Sequence, residues 1–284
     1  MPAAGDAAAR LPTLLQPLAA EPDRSALFLD FDGTLAGIVE DPTAARPLPG
    51  VPALLAALAA RFAVVAVISG RPTAFLAEVL GSPPGVTLAG LYGLERALHG
   101  PAYSAWASVI DEVVAEASAT APQGVYVEPK GLTVTLHWRR APAQKDWVVA
   151  FAARQHEARD LMIHEGRHER ELRPPLNVDK GTVVRALVAE QNAQAVPLRA
   201  AAAFGDDIGD LPAFAALDEL RAAGKRPLTV VRVAAVDAES PPAVAASADL
   251  SVPGAAGAVA LLRALADAAA SAAGTAGNAG TSQS

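Results

Sequence analysis

The 284-residue chain has no cysteine, only 3 Trp and 3 Tyr, and just 19% charged residues. Without thiols there are no disulfides, no thiolate nucleophile and no cysteine-based zinc site. That composition suits a reducing cytosol. Cations are also scarce: 23 Lys and Arg stand against 30 Asp and Glu, a formal net charge of −7. The balance argues against general binding to nucleic acid or an anionic membrane, and any anionic small ligand must be met by cations gathered locally. No basic start followed by an uninterrupted apolar run occupies residues 1–26, which Asp6, Arg10, Gln16, Pro17, Glu21 and Asp23 break up. Apolar runs elsewhere, such as Ala63–Ile68, fall short of the roughly 20 residues a bilayer span needs. The expectation is a soluble, cytoplasmic, monomeric protein that acts on a small molecule and not on nucleic acid or a membrane.

What the chain has in plenty is apolar sequence, 52% of it and much of that alanine, ample for a buried core. Short β-type runs alternate with helical runs. Ala26–Asp30, Ala63–Ile68 and Val86–Ala89 read as strands, with helices over Val51–Ala60 and Thr73–Leu80. Such alternation predicts a doubly wound α/β fold, a parallel sheet covered by helices on both faces. The pattern changes after Pro101. A helix over Trp106–Ser118 is followed by strands at Val125–Val127 and Leu132–Trp138. In the second of these, Thr133, Thr135 and His137 alternate with Val134, Leu136 and Trp138, as in a strand with two distinct faces. A helix over Lys145–Arg159 and a hairpin around Gly166 complete a smaller α/β unit.

The first pattern returns with a helix over Lys180–Glu190, a strand at Ala200–Phe204, a helix over Leu211–Leu217, a strand at Leu228–Val233 and a helix over Gly257–Ala268. The expected division is an N-terminal extension (1–23), a core (24–103 and 175–268), an inserted unit (104–174) and a disordered Ala/Gly/Ser/Thr tail (269–284).

The segment Leu27-Phe28-Leu29-Asp30-Phe31-Asp32-Gly33-Thr34 delivers two acids, one residue apart, from an apolar strand into a glycine turn. In an open α/β sheet, ligands bind beyond the carboxyl ends of the strands, and two carboxylates there invite a hard cation. A second acidic run, Gly205-Asp206-Asp207-Ile208-Gly209-Asp210, also follows an apolar strand. Its three carboxylates repel each other unless something positive is shared. A magnesium ion held between this loop and Asp30 resolves that repulsion; taken alone, the run also fits a solvated loop capping the next helix. Ser69, after the strand Ala63–Ile68, can donate to a phosphoryl oxygen. Lys180, at a helix start, can neutralise phosphoryl charge, although by itself its segment fits a surface lysine in the first helical turn better.

These four segments, in this order, resemble the haloacid dehalogenase superfamily of phosphotransferases. The resemblance implies a Rossmann-like core with an inserted cap. It also implies Asp30 as nucleophile, Asp32 as general acid/base, and Ser69 and Lys180 as phosphate-holding groups. Magnesium would be held by Asp30, the backbone carbonyl of Asp32 and Asp206, with Asp207 and Asp210 in support. The inserted residues narrow the likeness. Val127-Glu128-Pro129-Lys130, Leu136-His137-Trp138-Arg139 and Glu171-Leu172-Arg173-Pro174, with Ile68-Ser69-Gly70-Arg71 and Gly90-Leu91-Tyr92-Gly93-Leu94-Glu95, look like the trehalose-6-phosphate phosphatase family. There the insertion is a mobile cap closing over the sugar. By that likeness Arg71, Glu128, Lys130, Arg139 and Glu171 face the substrate, and trehalose 6-phosphate is hydrolysed to trehalose in trehalose biosynthesis. Gly209 and Leu211 stand where the family has Thr and Glu, and Tyr92 where it has His.

Three other readings compete. The first is a related phosphatase for sucrose phosphate or another sugar phosphate, and the second a non-catalytic sugar-phosphate sensor. The third rests on His164-Glu165-Gly166-Arg167-His168, which matches the His-Glu-x-x-His string of zinc peptidases. That chemistry needs both histidines on one face of a continuous helix, whereas Gly166 and the flanking strand-like runs predict a break.

Overall fold

The computed structural model describes the chain except residues 1–10, 40, 99, 167, 195, 224–226, 239 and 280–284, and except the side chains of residues 273–279. In chain order its strands are β1 (Ser25–Leu29), β2 (Val64–Ile68), β3 (Val86–Ala89), β4 (Tyr126–Pro129), β5 (Val134–His137), β6 (Met162–Gly166), β7 (Glu169–Arg173), β8 (Ala200–Gly205), β9 (Thr229–Val236) and β10 (Leu250–Pro253). They form a six-stranded sheet in the order β10-β9-β8-β1-β2-β3 and a four-stranded sheet in the order β4-β5-β7-β6. The chain divides into two compact units. One comprises Met1–Ser69, Ala74–Ala89 and Asp179–Ser284; the other comprises Gly70–Thr73 and Gly90–Val178.

In the first unit every strand pairing is parallel. Strands covered on both faces read as continuous apolar runs rather than alternating ones, and β1 is buried throughout. Its side chains still part by face. Leu27 and Leu29, with Val65, Val67 and Phe204, pack against Leu55 and Leu58 of helix Val51–Ala59 and Leu262 and Leu265 of helix Gly254–Ala279. Ala26 and Phe28, with Ala66, Ile68 and Ala203, pack against Val184 and Leu187 of helix Lys180–Ala193 and Phe214 and Leu217 of helix Leu211–Ala223. Each fully buried leucine contributes about 2 kcal/mol. The two helices on the second face approach closely at Gly181, where a Cβ would lie 2.4 Å from the Pro212 carbonyl oxygen.

Several expectations are corrected here. The edge strand β10 has no counterpart in the sequence reading. The last helix does not stop at Ala268 but runs to Ala279, and Ala268 and Ala269 are buried in the core, so a tail does not begin at 269; residues 280–284 lie outside the described residues. This helix is also long and apolar enough by composition to cross a membrane, contrary to the reading that every apolar run is too short. Its buried face, however, packs on the parallel sheet. Within the expected N-terminal extension, Leu11, Leu15 and Leu18 belong to the same core. The second unit starts at Gly90 rather than 104, because Leu91, Leu94 and Leu98 cluster with Leu132, Leu176 and Val178.

The second unit carries the antiparallel sheet. On one face Val134, Leu136 and Leu172 pack against Ile110 and Val113 of helix Gly100–Thr120 and Val148 and Phe151 of helix Lys145–Arg159. Side chains alternate along a strand, so the other face takes Thr135 and His137. The register sets Glu128 and Glu171 on either side of Thr135, and Tyr126 and Glu169 on either side of His137. This second face is polar yet largely buried: Thr135 is 0% and Glu171 3% exposed.

Candidate active site

Parallel pairing of β1 with β8 sets Leu29 beside Phe204. The next residues of both strands, Asp30 and the Gly205-Asp206 pair, therefore emerge at the same carboxyl end. The Asp30 amide still donates to the Phe204 carbonyl at 3.0 Å. The turn at Gly33 has φ +76°, and a Cβ there would lie 2.1 Å from Asp206 Oδ2; only glycine lets the two loops approach this far. Lys180 reaches the same place from the first residue of its helix. Asp179 caps that helix, accepting from the Thr182 amide at 2.7 Å, and the Asp179 amide donates back to the Thr182 hydroxyl at 3.4 Å. This capping box sets where the helix begins, and with it where Lys180 starts.

Asp30, Lys180, Asp206 and Asp210 are all buried. Lys180 Nζ donates to Asp30 Oδ1 at 2.5 Å and to Asp210 Oδ1 at 2.6 Å. The other oxygen of Asp210 accepts the amides of Asp206 at 2.9 Å and Asp207 at 3.1 Å. One lysine thus faces three carboxylates. Burial pushes Asp30 up to about 7, with Asp210 and Asp32 adding to the rise and Lys180 opposing it. Burial, Asp30 and Asp210 push Asp206 up to about 10. Burial alone would lower Lys180, but Asp210 and Asp30 raise it above the ordinary lysine value. Lys180 is thus a fixed cation, not a titrating base.

Ligand oxygens of Asp30, Asp206 and Asp210 lie within 4.8 Å of one another, the one such metal-compatible group among the described residues. A buried, all-oxygen donor set with too little positive charge fits a hard divalent cation. Asp210, expected in a supporting place, lies in this ring. Asp207 does not: it is exposed, and its Oδ1 accepts the Ile208 amide at 2.7 Å, capping the 3₁₀ turn Ile208–Asp210. The acidic run therefore does both things the sequence allowed, one carboxylate capping a turn while two join Asp30. Ser69 is buried just past β2, with its amide donating to the Ala89 carbonyl at 3.0 Å. Asp32 is half-buried beside the turn and bridged through its backbone to Ala36.

The second unit gathers its own polar cluster. Glu128 Oε2 meets His137 Nε2 at 2.8 Å and Lys130 Nζ at 3.5 Å, and Glu128 Oε1 lies 3.9 Å from Arg71 Nη1. Lys130 also lies 3.7 Å from Glu171 Oε1, which accepts the Thr133 hydroxyl at 2.7 Å. Burial would raise the Glu128 carboxyl, but the His137 hydrogen bond and the charges of Lys130, His137 and Arg71 hold it down to about 2. Four of the expected substrate residues, Arg71, Glu128, Lys130 and Glu171, are brought together. Arg139 is not among them: it lies exposed in the turn after β5. Sequence reasoning passed over Glu169 and gave His137 no role, although strand alternation already put His137 on the face of Thr135. Tyr92 adopts φ +56°, with its ring beside His164 at 5.7 Å and Arg173 over it at 5.8 Å. His164 lies in β6 and His168 in the turn that follows. A hairpin replaces the helix that a zinc-peptidase site needs.

Comparison with known proteins gives a consistent result. The sequence model of the trehalose-phosphatase family matches residues 28–252. A trehalose-phosphate phosphatase of Mycobacterium avium is 38% identical over 206 residues, covering 68% of this chain and 51% of that protein. The chain spans about half the length of the curated relatives it matches. The solved C-terminal domain of a Candida albicans trehalose-6-phosphate phosphatase superposes with TM-score 0.67 at 24% identity, covering 92% of this chain and 99% of that one. A trehalose-6-phosphate phosphatase of Aspergillus fumigatus gives TM-score 0.58 at 27% identity, covering 90% and 98%.

Proposed function

The chain belongs to the trehalose-phosphatase family, and on that premise we propose that it hydrolyses trehalose 6-phosphate to trehalose and inorganic phosphate with Mg²⁺, in trehalose biosynthesis. The observation that carries the reading is the buried ring of Asp30, Asp206 and Asp210 around Lys180, at the carboxyl ends of the neighbouring strands β1 and β8. Asp30, whose ionised form Lys180 favours, attacks phosphorus. The phosphorus–oxygen bond to the sugar breaks and an acyl phosphate forms on Asp30. Asp32 gives its proton to the departing sugar oxygen. It then takes one from the water that attacks phosphorus and frees Asp30. Lys180 and the Ser69 hydroxyl counter charge on the phosphoryl oxygens. Asp30, Asp206, Asp210 and the Asp32 carbonyl would hold Mg²⁺, with Asp207 in support, and the ion when bound screens the repulsion between carboxylate and phosphate.

Arg71, Glu128, Lys130 and Glu171 supply the polar groups for the sugar hydroxyls, and we place Arg139 with them as a phosphate or sugar contact. We place the protein in the cytoplasm, which the absence of cysteine suits, acting as a monomer on a small molecule. The test is phosphate release across trehalose 6-phosphate, sucrose 6-phosphate and glucose 6-phosphate with Mg²⁺ present. Two or three hydrogen bonds of about 1–1.5 kcal/mol each to the second sugar ring predict kcat/KM for trehalose 6-phosphate about 10²-fold above glucose 6-phosphate. Equal values would remove the disaccharide from the reading, and no turnover of any phosphate would favour a sensor.

A further inference from the structure

His137 sits between two acids. Its Nε2 lies 2.8 Å from Glu128 Oε2 and its Nδ1 3.0 Å from Glu169 Oε2. Ionised carboxylates only accept, and a neutral imidazole donates from one nitrogen alone. Both contacts are hydrogen bonds together only when the ring carries two protons. The surroundings balance on the same condition: Glu128, Glu169 and Glu171 face Lys130, Arg71 and a charged His137. Tyr126 stacks on the ring with centroids 5.6 Å apart.

We propose that His137 is a positioning residue which, as an imidazolium, fixes one oxygen of Glu128 so that the other is presented to the sugar; this rests on the reading of Glu128 as a sugar contact. Without the clamp, Glu128 is free to swing toward Lys130 and Arg71, and its charge collapses onto cations that the substrate also needs. The direction of His137's titration agrees. Burial would lower it, but the hydrogen bonds to Glu128 and Glu169 and their charges raise it above the ordinary histidine value. The clamp is therefore present below the ordinary histidine value and is lost as pH climbs through the raised one. Loss of the ring proton weakens sugar recognition while leaving the Asp30 chemistry in place.

The experiment uses the full-length protein with Mg²⁺ and compares trehalose 6-phosphate with a small aryl phosphate from pH 6 to 9.5. In His137→Phe, KM for trehalose 6-phosphate should rise about tenfold relative to that for the aryl phosphate, one lost charge-assisted hydrogen bond. His137→Gln keeps a neutral donor toward Glu128. It should recover most of that loss and abolish the alkaline fall in relative kcat/KM that the unsubstituted protein shows. Nitrogen-15 spectra of the unsubstituted protein should show the His137 ring losing its second proton only above the ordinary value of about 6.5. An imidazole that titrates at or below the ordinary value of about 6.5 overturns the proposal. So does a His137→Phe protein equally impaired on both substrates, or a His137→Gln protein that keeps the alkaline fall. A protein that cleaves the aryl phosphate but not trehalose 6-phosphate overturns the substrate reading instead, and the ring titration then decides the clamp by itself.

Discussion

Asp206→Asn should make the metal-free protein more stable and remove most of the stabilisation that Mg²⁺ gives. Asp206 shares a buried pocket with Asp30 and Asp210, their oxygens within 4.8 Å of one another, and Lys180 bonds to both of the latter. Burial, Asp30 and Asp210 outweigh Lys180 and push the Asp206 carboxyl up to about 10, so at pH 7 it folds protonated. An unfolded aspartate at that pH is ionised. Holding the proton from about 3.9 to 7 costs at most about 4 kcal/mol, at 1.36 kcal/mol per pH unit. The sign follows: the native state binds the extra proton, so this penalty grows as pH rises above the unfolded value and disappears near pH 4. Asparagine is neutral in both states and removes the penalty.

Relaxation of the pocket will absorb much of this. A gain of about 1–3 kcal/mol, or roughly 3–10 °C in Tm for a unit of this size, is expected at pH 7 in EDTA. Mg²⁺ at a hundred times its Kd adds about 2.7 kcal/mol to the unsubstituted protein and should add little to the variant. Thermal unfolding of both proteins, with EDTA and with Mg²⁺, at pH 4.5 and pH 7, reads all of this. The reasoning is refuted if Asp206→Asn is the less stable in EDTA at pH 7, or if it gains as much from Mg²⁺ as its parent.

Asp30→Asn should leave Tm within a few degrees and abolish turnover, because an amide cannot take the phosphoryl group; a steady-state rate near a tenth of normal would remove Asp30 from that role. Chelation by EDTA should stop phosphate release and Mg²⁺ restore it, whereas Ca²⁺, with its larger and looser coordination shell, should not; equal rates with either ion would contradict the arrangement. Glu128, held down to about 2, contributes stability that is present above its unfolded value and lost as pH falls toward 2. Acid titration followed by circular dichroism should show that Glu128→Gln is less stable than its parent at pH 6, by at most about 3 kcal/mol, with the two converging near pH 2.

Residues adjacent in sequence disclosed most of the candidate site. An apolar run ending in Asp-x-Asp-Gly-Thr is a buried strand that must release its acids at the sheet's carboxyl end, and a lysine after an Asp cap must stand at the start of its helix. These are local consequences of strand burial and capping, so Asp30, Ser69, Lys180 and the acidic run could be named from the sequence. Local rules could not sort that run. Whether Asp207 or Asp210 turns inward depends on the 3₁₀ turn and on Lys180, which arrives from a helix 30 residues earlier. The edge strand β10 has four residues, none of them buried, and so leaves little apolar signal. Helix Gly254–Ala279 ran past the expected end because alanine favours helix and the sheet buries Ala268 and Ala269. His137 makes the same point in the second unit. Alternation set it on the polar face of its strand, but its charge depends on Glu128 and Glu169, which come from two different neighbouring strands, and strand register is a property of the folded sheet.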